Sequence, residues 1–106
     1  MNTVSVARDF TRFPAGRYKR NGDTSGEEFR ERFLEGPITR SEQLTVDLDG
    51  TVGYGSSFLE EAFGGLVRAT KVPSHTVLER LHLRSSDTSL CEEITQYIVD
   101  AGRDVK

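Results

Sequence analysis

Apolar and polar positions alternate most clearly at Leu44, Val46 and Leu48, with Thr45 and Asp47 between them. That period of two predicts a strand with at least one buried face. Leu59, Ala62, Phe63, Leu66 and Val67 then recur at i, i+3, i+4, i+7 and i+8, one apolar stripe on a 3.6-residue period. Ser57 with Glu60 three residues later has the spacing of a capping box, which places the start of that helix near Ser57. Between strand and helix runs Asp49-Gly-Thr-Val-Gly-Tyr-Gly-Ser56. Its three glycines permit turns and close approaches that side chains resist, so this loop is the expected working surface.

Upstream, Val4 and Val6 between Thr3 and Ser5 predict a short first strand, after which Phe10 and Phe13 are expected to anchor the connection to the core. Pro14-Ala-Gly16 reads as a turn, Arg17 to Arg20 as a second short strand, and Asn21-Gly22 as a tight turn, together a hairpin-like edge. Ser25 with Glu28 makes a second capping box, and Phe29, Phe33 and Leu34 give its helix a buried stripe that should stop at Gly36-Pro37. Glu27, Arg30, Glu31 and Arg32 read as the solvated face of that helix. Downstream, Lys71-Val-Pro73 breaks the chain, Ser74 to Arg80 predicts a short helix, and Leu81 to Leu83 a strand. Ser89 and Glu92 make a third capping box for a helix whose stripe is Leu90, Ile94, Tyr97, Ile98 and Ala101, ending at Gly102. Strands alternating with helices predict an α/β fold with a mixed, partly parallel central sheet and a binding surface at the carboxyl ends of its strands. The predicted core joins Phe29, Phe33, Leu44, Val46, Leu48, Leu59, Phe63, Leu66, Leu81, Leu83, Ile94 and Ile98.

A chain of 106 residues suits a single domain spanning 1–106, with one core and one main site. Charged residues make up 29% and hydrophobic ones 35%, so much of the helical surface should be solvated. No run is long enough to cross a bilayer, and the first ten residues lack a signal-peptide layout. The expectation is a cytoplasmic protein without a membrane role. The net charge of −3 is uneven, because Arg8, Arg12, Arg17, Lys19 and Arg20 face only Asp9 in the first 20 residues. Those cations suit an edge protected against aggregation better than an anion site. No basic helix or aromatic RNA-binding signature accompanies them, so no nucleic-acid partner is expected. One cysteine and two histidines provide neither a disulfide nor metal-ligand spacing, and no metal or cofactor is expected.

Two motifs converge on the central loop. Asp47-Leu-Asp49-Gly-Thr51-Val52 resembles the first motif of haloacid-dehalogenase-type phosphatases, in which the first Asp is the nucleophile and the second a general acid/base near magnesium. Paired carboxylates at i and i+2 suit that chemistry. The later motifs of that family depart here, since Lys71 precedes Ser85 and Ser86 instead of following them. A wider match is carried by Arg8-Asp-Phe10, Gly16-Arg-Tyr18, Ser25-Gly-Glu-Glu-Phe-Arg30, Val46-Asp-Leu-Asp-Gly50 and Gly53-Tyr-Gly-Ser-Ser-Phe-Leu-Glu-Glu-Ala-Phe-Gly-Gly65. Together these resemble a prokaryotic STAS-like domain family of unknown function. The element order is also similar to that of STAS anti-sigma-factor antagonists. In those proteins an Asp-Ser-Ser-Gly loop leads from the central strand into a helix, and a kinase that is also the binding partner phosphorylates the second serine. By position, the resemblance implies Ser57 as phosphoacceptor with Ser56 beside it, Gly55 standing where the loop Asp would be and Phe58 where the Gly would be.

The sequence therefore predicts a small STAS-like domain, not an enzyme, that binds a protein partner through the surface from Asp49 to Phe63. The resemblance implies a histidine-kinase-like ATPase or an anti-sigma-type regulator as that partner. The expected contact and regulatory residues are Asp49, Gly53, Tyr54, Gly55, Ser56, Ser57, Phe58 and Glu61. A nucleotide or anion in the glycine loop is the remaining alternative, although the loop lacks the lysine and hydroxyl of a GxxxxGK[ST] phosphate site.

Overall fold

The computed structural model describes residues 2–104; Met1, Val105 and Lys106, which the single-domain reading includes, lie outside the described residues. Three strands, β1 (Asn2–Ser5), β2 (Leu44–Asp47) and β3 (Leu81–Arg84), form one sheet in the order β1-β2-β3. Both pairings are parallel, with Val4, Val46 and Leu83 in register. The mixed sheet expected from the sequence is thus parallel throughout its described strands, because the hairpin strand at Arg17 to Arg20 does not form. The backbone carbonyls of Gly16 and Arg17 instead accept the N–H groups of Gly26 and Glu27, each at 3.0 Å. These are free donors at a helix start, and satisfying them uses the acceptors a hairpin would need. Lys19–Asn21 is a single 3-10 turn in which the Asn21 side chain accepts the Tyr18 N–H at 3.1 Å.

The first strand stops at Ser5. Its N–H donates to Asp9 Oδ2 at 2.7 Å and its Oγ caps a π-turn over Val6–Phe10, so Val6 is buried in a turn and not in the strand.

Helix α1 follows β1. It has an α-helical turn at Gly26–Phe29, a π-turn at Arg30–Leu34 and an α-helical end at Glu35–Thr39. Ser25 caps it as expected, accepting the Glu28 N–H at 3.1 Å. The helix does not stop at Gly36-Pro37. After the π-turn the α-helical register restarts at Glu35, which puts Pro37 in a first turn, where a missing N–H is tolerated. Helix α2 follows β2 and repeats the design: Ser56–Leu59, a π-turn at Glu60–Gly64, then Gly65–Thr70. Helix α3 (Ser74–Arg80) and β3 fall where the pattern puts them. Helix α4 (Thr88–Asp104) runs through Gly102. Its first turn is held by Asp87, whose Oδ1 accepts from Ser89 N at 3.0 Å and Leu90 N at 3.3 Å, so the capping box expected at Ser89 and Glu92 is replaced.

Buried Leu44 and Val46 alternate with half-buried Thr45 and Asp47 along β2, as on a sheet with one face in the core. The predicted core residues all belong to one cluster, Phe33 and Leu83 at its margin. Phe58 joins them. From Phe58 to Val67, α2 is buried at every position except Glu60. Helices α1 and α2 touch backbone to backbone at Gly26, where any Cβ would overlap the Phe58 carbonyl oxygen. Among the described residues no helix is long and apolar enough to cross a membrane.

Candidate functional site

The loop between β2 and α2 leaves the carboxyl end of the central strand, where parallel sheets present their sites. It is braced at several points. Asp47 Oδ1 accepts the N–H of Asp49 at 3.1 Å, a local aspartate turn. Asp49 Oδ1 reaches across to the end of β3, accepting from Ser86 N at 3.0 Å, Ser86 Oγ at 3.1 Å and Ser85 Oγ at 3.4 Å. The Ser86 N–H is the main cause holding the Asp49 carboxyl below its ordinary range. Tyr54 OH donates to the Leu48 carbonyl at 2.7 Å, and burial pushes its pKa up to about 12. Both aspartates of the twin-carboxylate motif accept backbone N–H bonds, as loop-bracing aspartates do.

A shallow cavity of about 420 Å³ lies under this loop, between the ends of β2 and β3. Asp49, Asp87 and Glu93 line it with the hydroxyls of Ser85, Ser86 and Ser89, and it has no lysine or arginine. Three carboxylates without a cation disfavour a nucleotide or free anion there. Among the described residues no group of three or more His, Cys, Asp or Glu side chains is placed to hold a metal ion.

The outer side of the loop is different. Val52 N–H donates to the Arg12 carbonyl at 2.9 Å, tying the loop to the segment after the first π-turn. Two of the most exposed large apolar side chains belong to these joined segments, Phe13 at 62% and Val52 at 68%. Of the pair expected to anchor this segment on the core, Phe10 packs there and Phe13 does not, because an isolated Phe in a loop gives a sequence no signal of which way it faces.

Asp49, Gly53, Gly55, Ser56 and Ser57 are exposed, and Tyr54 is half-buried. Ser57 does not cap α2. The N-cap is Gly55, with no side-chain cap bond, so Ser57 lies inside the first turn and its hydroxyl has no hydrogen bond among the described residues. Glu60, the other half of the expected box, turns away because two arginines hold it. Phe58 and Glu61 are not surface residues. Phe58 is 1% exposed, with its ring centroid 6.0 Å from those of Phe29 and Tyr54 and 6.5 Å from that of Phe10. Glu61 is buried against Arg30. The accessible surface expected from Asp49 to Phe63 therefore ends at Ser57, with Glu60 beyond it.

Glu60 and Glu61 are the centre of an ion-pair network that charge spacing alone did not reveal. Arg30 Nη1 donates to Glu61 Oε2 at 2.5 Å and to the Glu61 carbonyl at 3.2 Å, while its Nε donates to Glu35 at 2.8 Å. Burial works against the Arg30 charge, yet its bonds to Glu35 and Glu61 leave its pKa raised. Arg68 grips Glu60 with two nitrogens at 2.6 and 3.0 Å, and Arg17 adds a third contact at 2.6 Å. The Arg68 bond is the largest cause of the lowered Glu60 pKa. Arg30 thus faces the core side of the α1–α2 contact and not solvent. Gly64 and Gly65 make room for this network: a Cβ at Gly65 would strike the Arg30 guanidinium and one at Gly64 the Glu60 carboxylate.

One family model matches residues 25–90, well over half of the chain, and is described as a STAS-like domain of unknown function (DUF4325). The matched segment runs from the cap of α1 through the loop and α2 into α4. No curated protein and no solved structure matches the chain.

Proposed function

The chain belongs to the family of STAS-like domains of unknown function, and we propose that it is a non-catalytic regulatory module that docks a protein partner through the loop after β2. The observation that carries this reading is the exposure of Phe13 and Val52 on two segments joined by the Val52–Arg12 backbone bond. Large apolar side chains exposed on two tethered segments offer a partner apolar contact points. Asp47 and Asp49 are engaged in bracing the loop, which favours binding over catalysis. The resemblance to anti-sigma-factor antagonists points to a histidine-kinase-like ATPase or an anti-sigma-type regulator as the partner.

Phosphorylation of Ser57 would switch the surface. The Ser57 Oγ bonds to the γ-phosphorus of a nucleoside triphosphate held by the kinase, and the bond from that phosphorus to the β-phosphate oxygen breaks. The nucleoside diphosphate leaves and the hydroxyl proton passes to a base on the kinase. The product carries nearly two negative charges beside Glu60. A helix N-terminus tolerates that charge, whereas a partner docked on the loop meets a new anion. Pull-downs from the native host test the docking surface. Val52→Asp and Phe13→Asp should lose the proteins that wild type captures while melting as wild type does; folded variants that capture the same proteins would end this reading.

A further inference from the structure

The parallel sheet ends in two edge strands, β1 and β3, and an edge presents backbone donors and acceptors to any chain able to pair with them. Alternate residues of a strand bond the same neighbour. In β1 the Asn2 N–H turns inward to the Gln43 carbonyl at 3.2 Å, so the backbone groups of Thr3 and Ser5 face outward. That edge is blunted. Asp9 Oδ2 takes the Ser5 N–H at 2.7 Å, and the hollow beside the strand is lined by the charges of Asp9, Glu31, Arg32 and Arg40.

The β3 edge has neither protection. Leu48 N–H donates to the Arg84 carbonyl at 2.8 Å, and Val46 lies opposite Leu83. This register turns the backbone groups of His82 and Arg84 inward to β2 and those of Leu81 and Leu83 outward. The Leu81 N–H is spent on the Val77 carbonyl at the end of α3. Leu83 therefore holds an outward N–H and C=O that no described residue pairs. Along the same edge runs a groove of about 350 Å³ lined by Leu78, Leu81, His82, Leu83, Cys91 and Thr95, without a carboxylate, lysine or arginine.

We propose that the β3 edge is a homodimer interface, in which two copies pair antiparallel about a twofold axis at Leu83. In an antiparallel ladder two opposite residues exchange both N–H···O bonds, so Leu83 is its own complement, as an isologous contact requires. In that register Arg84 lies opposite His82, and the one fixed charge of the strand does not meet its own copy. Backbone bonds at a single residue are too few to hold a separate peptide. A second copy adds its own Leu78, Leu83 and Cys91 to the apolar surface that is covered, and the pairing doubles the three-stranded sheet.

Sedimentation equilibrium of the full chain should show a mass rising with concentration from 11.8 kDa toward twice that value. Leu83→Pro removes the outward N–H at a position where an edge strand tolerates proline, and Thr95→Lys sets a cation in each groove against its copy. Each should weaken association by at least about tenfold while circular dichroism shows a folded chain. Hydrogen exchange locates the contact: the Leu83 amide should become protected as the dimer forms, and that of Thr3 on the opposite edge should not change. A wild type that stays at 11.8 kDa up to about 1 mM overturns the proposal, as does a dimer that survives Thr95→Lys or protects Thr3 instead. If Leu83→Pro does not fold, Thr95→Lys and the Leu83 amide decide. A monomer whose Leu83 amide is protected only when a foreign protein is added gives the edge to that protein's strand and overturns the second copy.

Discussion

Arg30→Met should cost about 3–5 kcal/mol of folding stability and lower the melting temperature by at least about 12 °C. The Arg30 side chain is 7% exposed and joins α1 to α2 through Glu61. Methionine fills much of the same space but leaves the buried Glu61 carboxylate with only Arg17 at 3.4 Å and Arg68 at 3.7 Å. Stranding a buried charge accounts for most of the loss, because the net worth of an intact buried pair over apolar packing is small. The double variant Arg30→Met with Glu61→Leu should therefore recover part of the stability lost by Arg30→Met alone. Urea unfolding of the three proteins measures both effects. A single variant within about 0.5 kcal/mol of wild type would mean that the pair is solvated and the helix contact is not as described.

Phe58→Ala should cost about 3–5 kcal/mol, the usual price of deleting a buried aromatic ring. At position 58 this number separates two roles. A contact residue on an exposed surface would change stability by no more than about 0.5 kcal/mol on truncation. The Phe58 ring packs among those of Phe10, Phe29 and Tyr54, and its removal opens a cavity between α1 and α2. Since domains of this size are commonly stable by only about 5–15 kcal/mol, the loss should be obvious in a melting curve.

The elements that depend on local pattern were legible in the sequence. The alternation at Leu44 and Val46, the stripe of α2, the Ser25 cap and the succession from Ser74 to Leu83 were each read from residues within a turn or two of one another. The failures share a cause, which is that a distant partner decides. Asn21-Gly22 carries a hairpin signal, but the carbonyls it would have paired are taken by the N–H groups of α1. Glu60 looks like half of a capping box until Arg17 and Arg68, 43 and 8 residues away, are in place. Arg30 reads as one more charge on a polar face, and its burial depends on a glutamate 31 residues on. The π-turns in α1 and α2 break the uniform 3.6-residue period, which is why the chain passes through Pro37. Phe58 was misplaced because a helix buried almost all round has no polar face for periodicity to find. At the site, the loop, its bracing aspartates and the serines were visible as letters, whereas the tether between the loop of Val52 and the segment of Phe13 is a backbone bond between residues far apart in the chain.

Ser57 is where the regulatory reading stands or falls, and the unpaired hydroxyl makes its variants clean. With no cap bond to lose, Ser57→Ala should melt within about 0.5 kcal/mol of wild type. Ser57→Asp should fold as well, its charge suited to the helix N-terminus. The most direct measurement is the dissociation constant of the captured partner for wild type, Ser57→Ala and Ser57→Asp. A regulatory surface at Ser57 predicts unchanged affinity for Ser57→Ala and a loss of more than about tenfold for Ser57→Asp, through charge placed against the docked partner. Equal affinity of Ser57→Asp and wild type would contradict it.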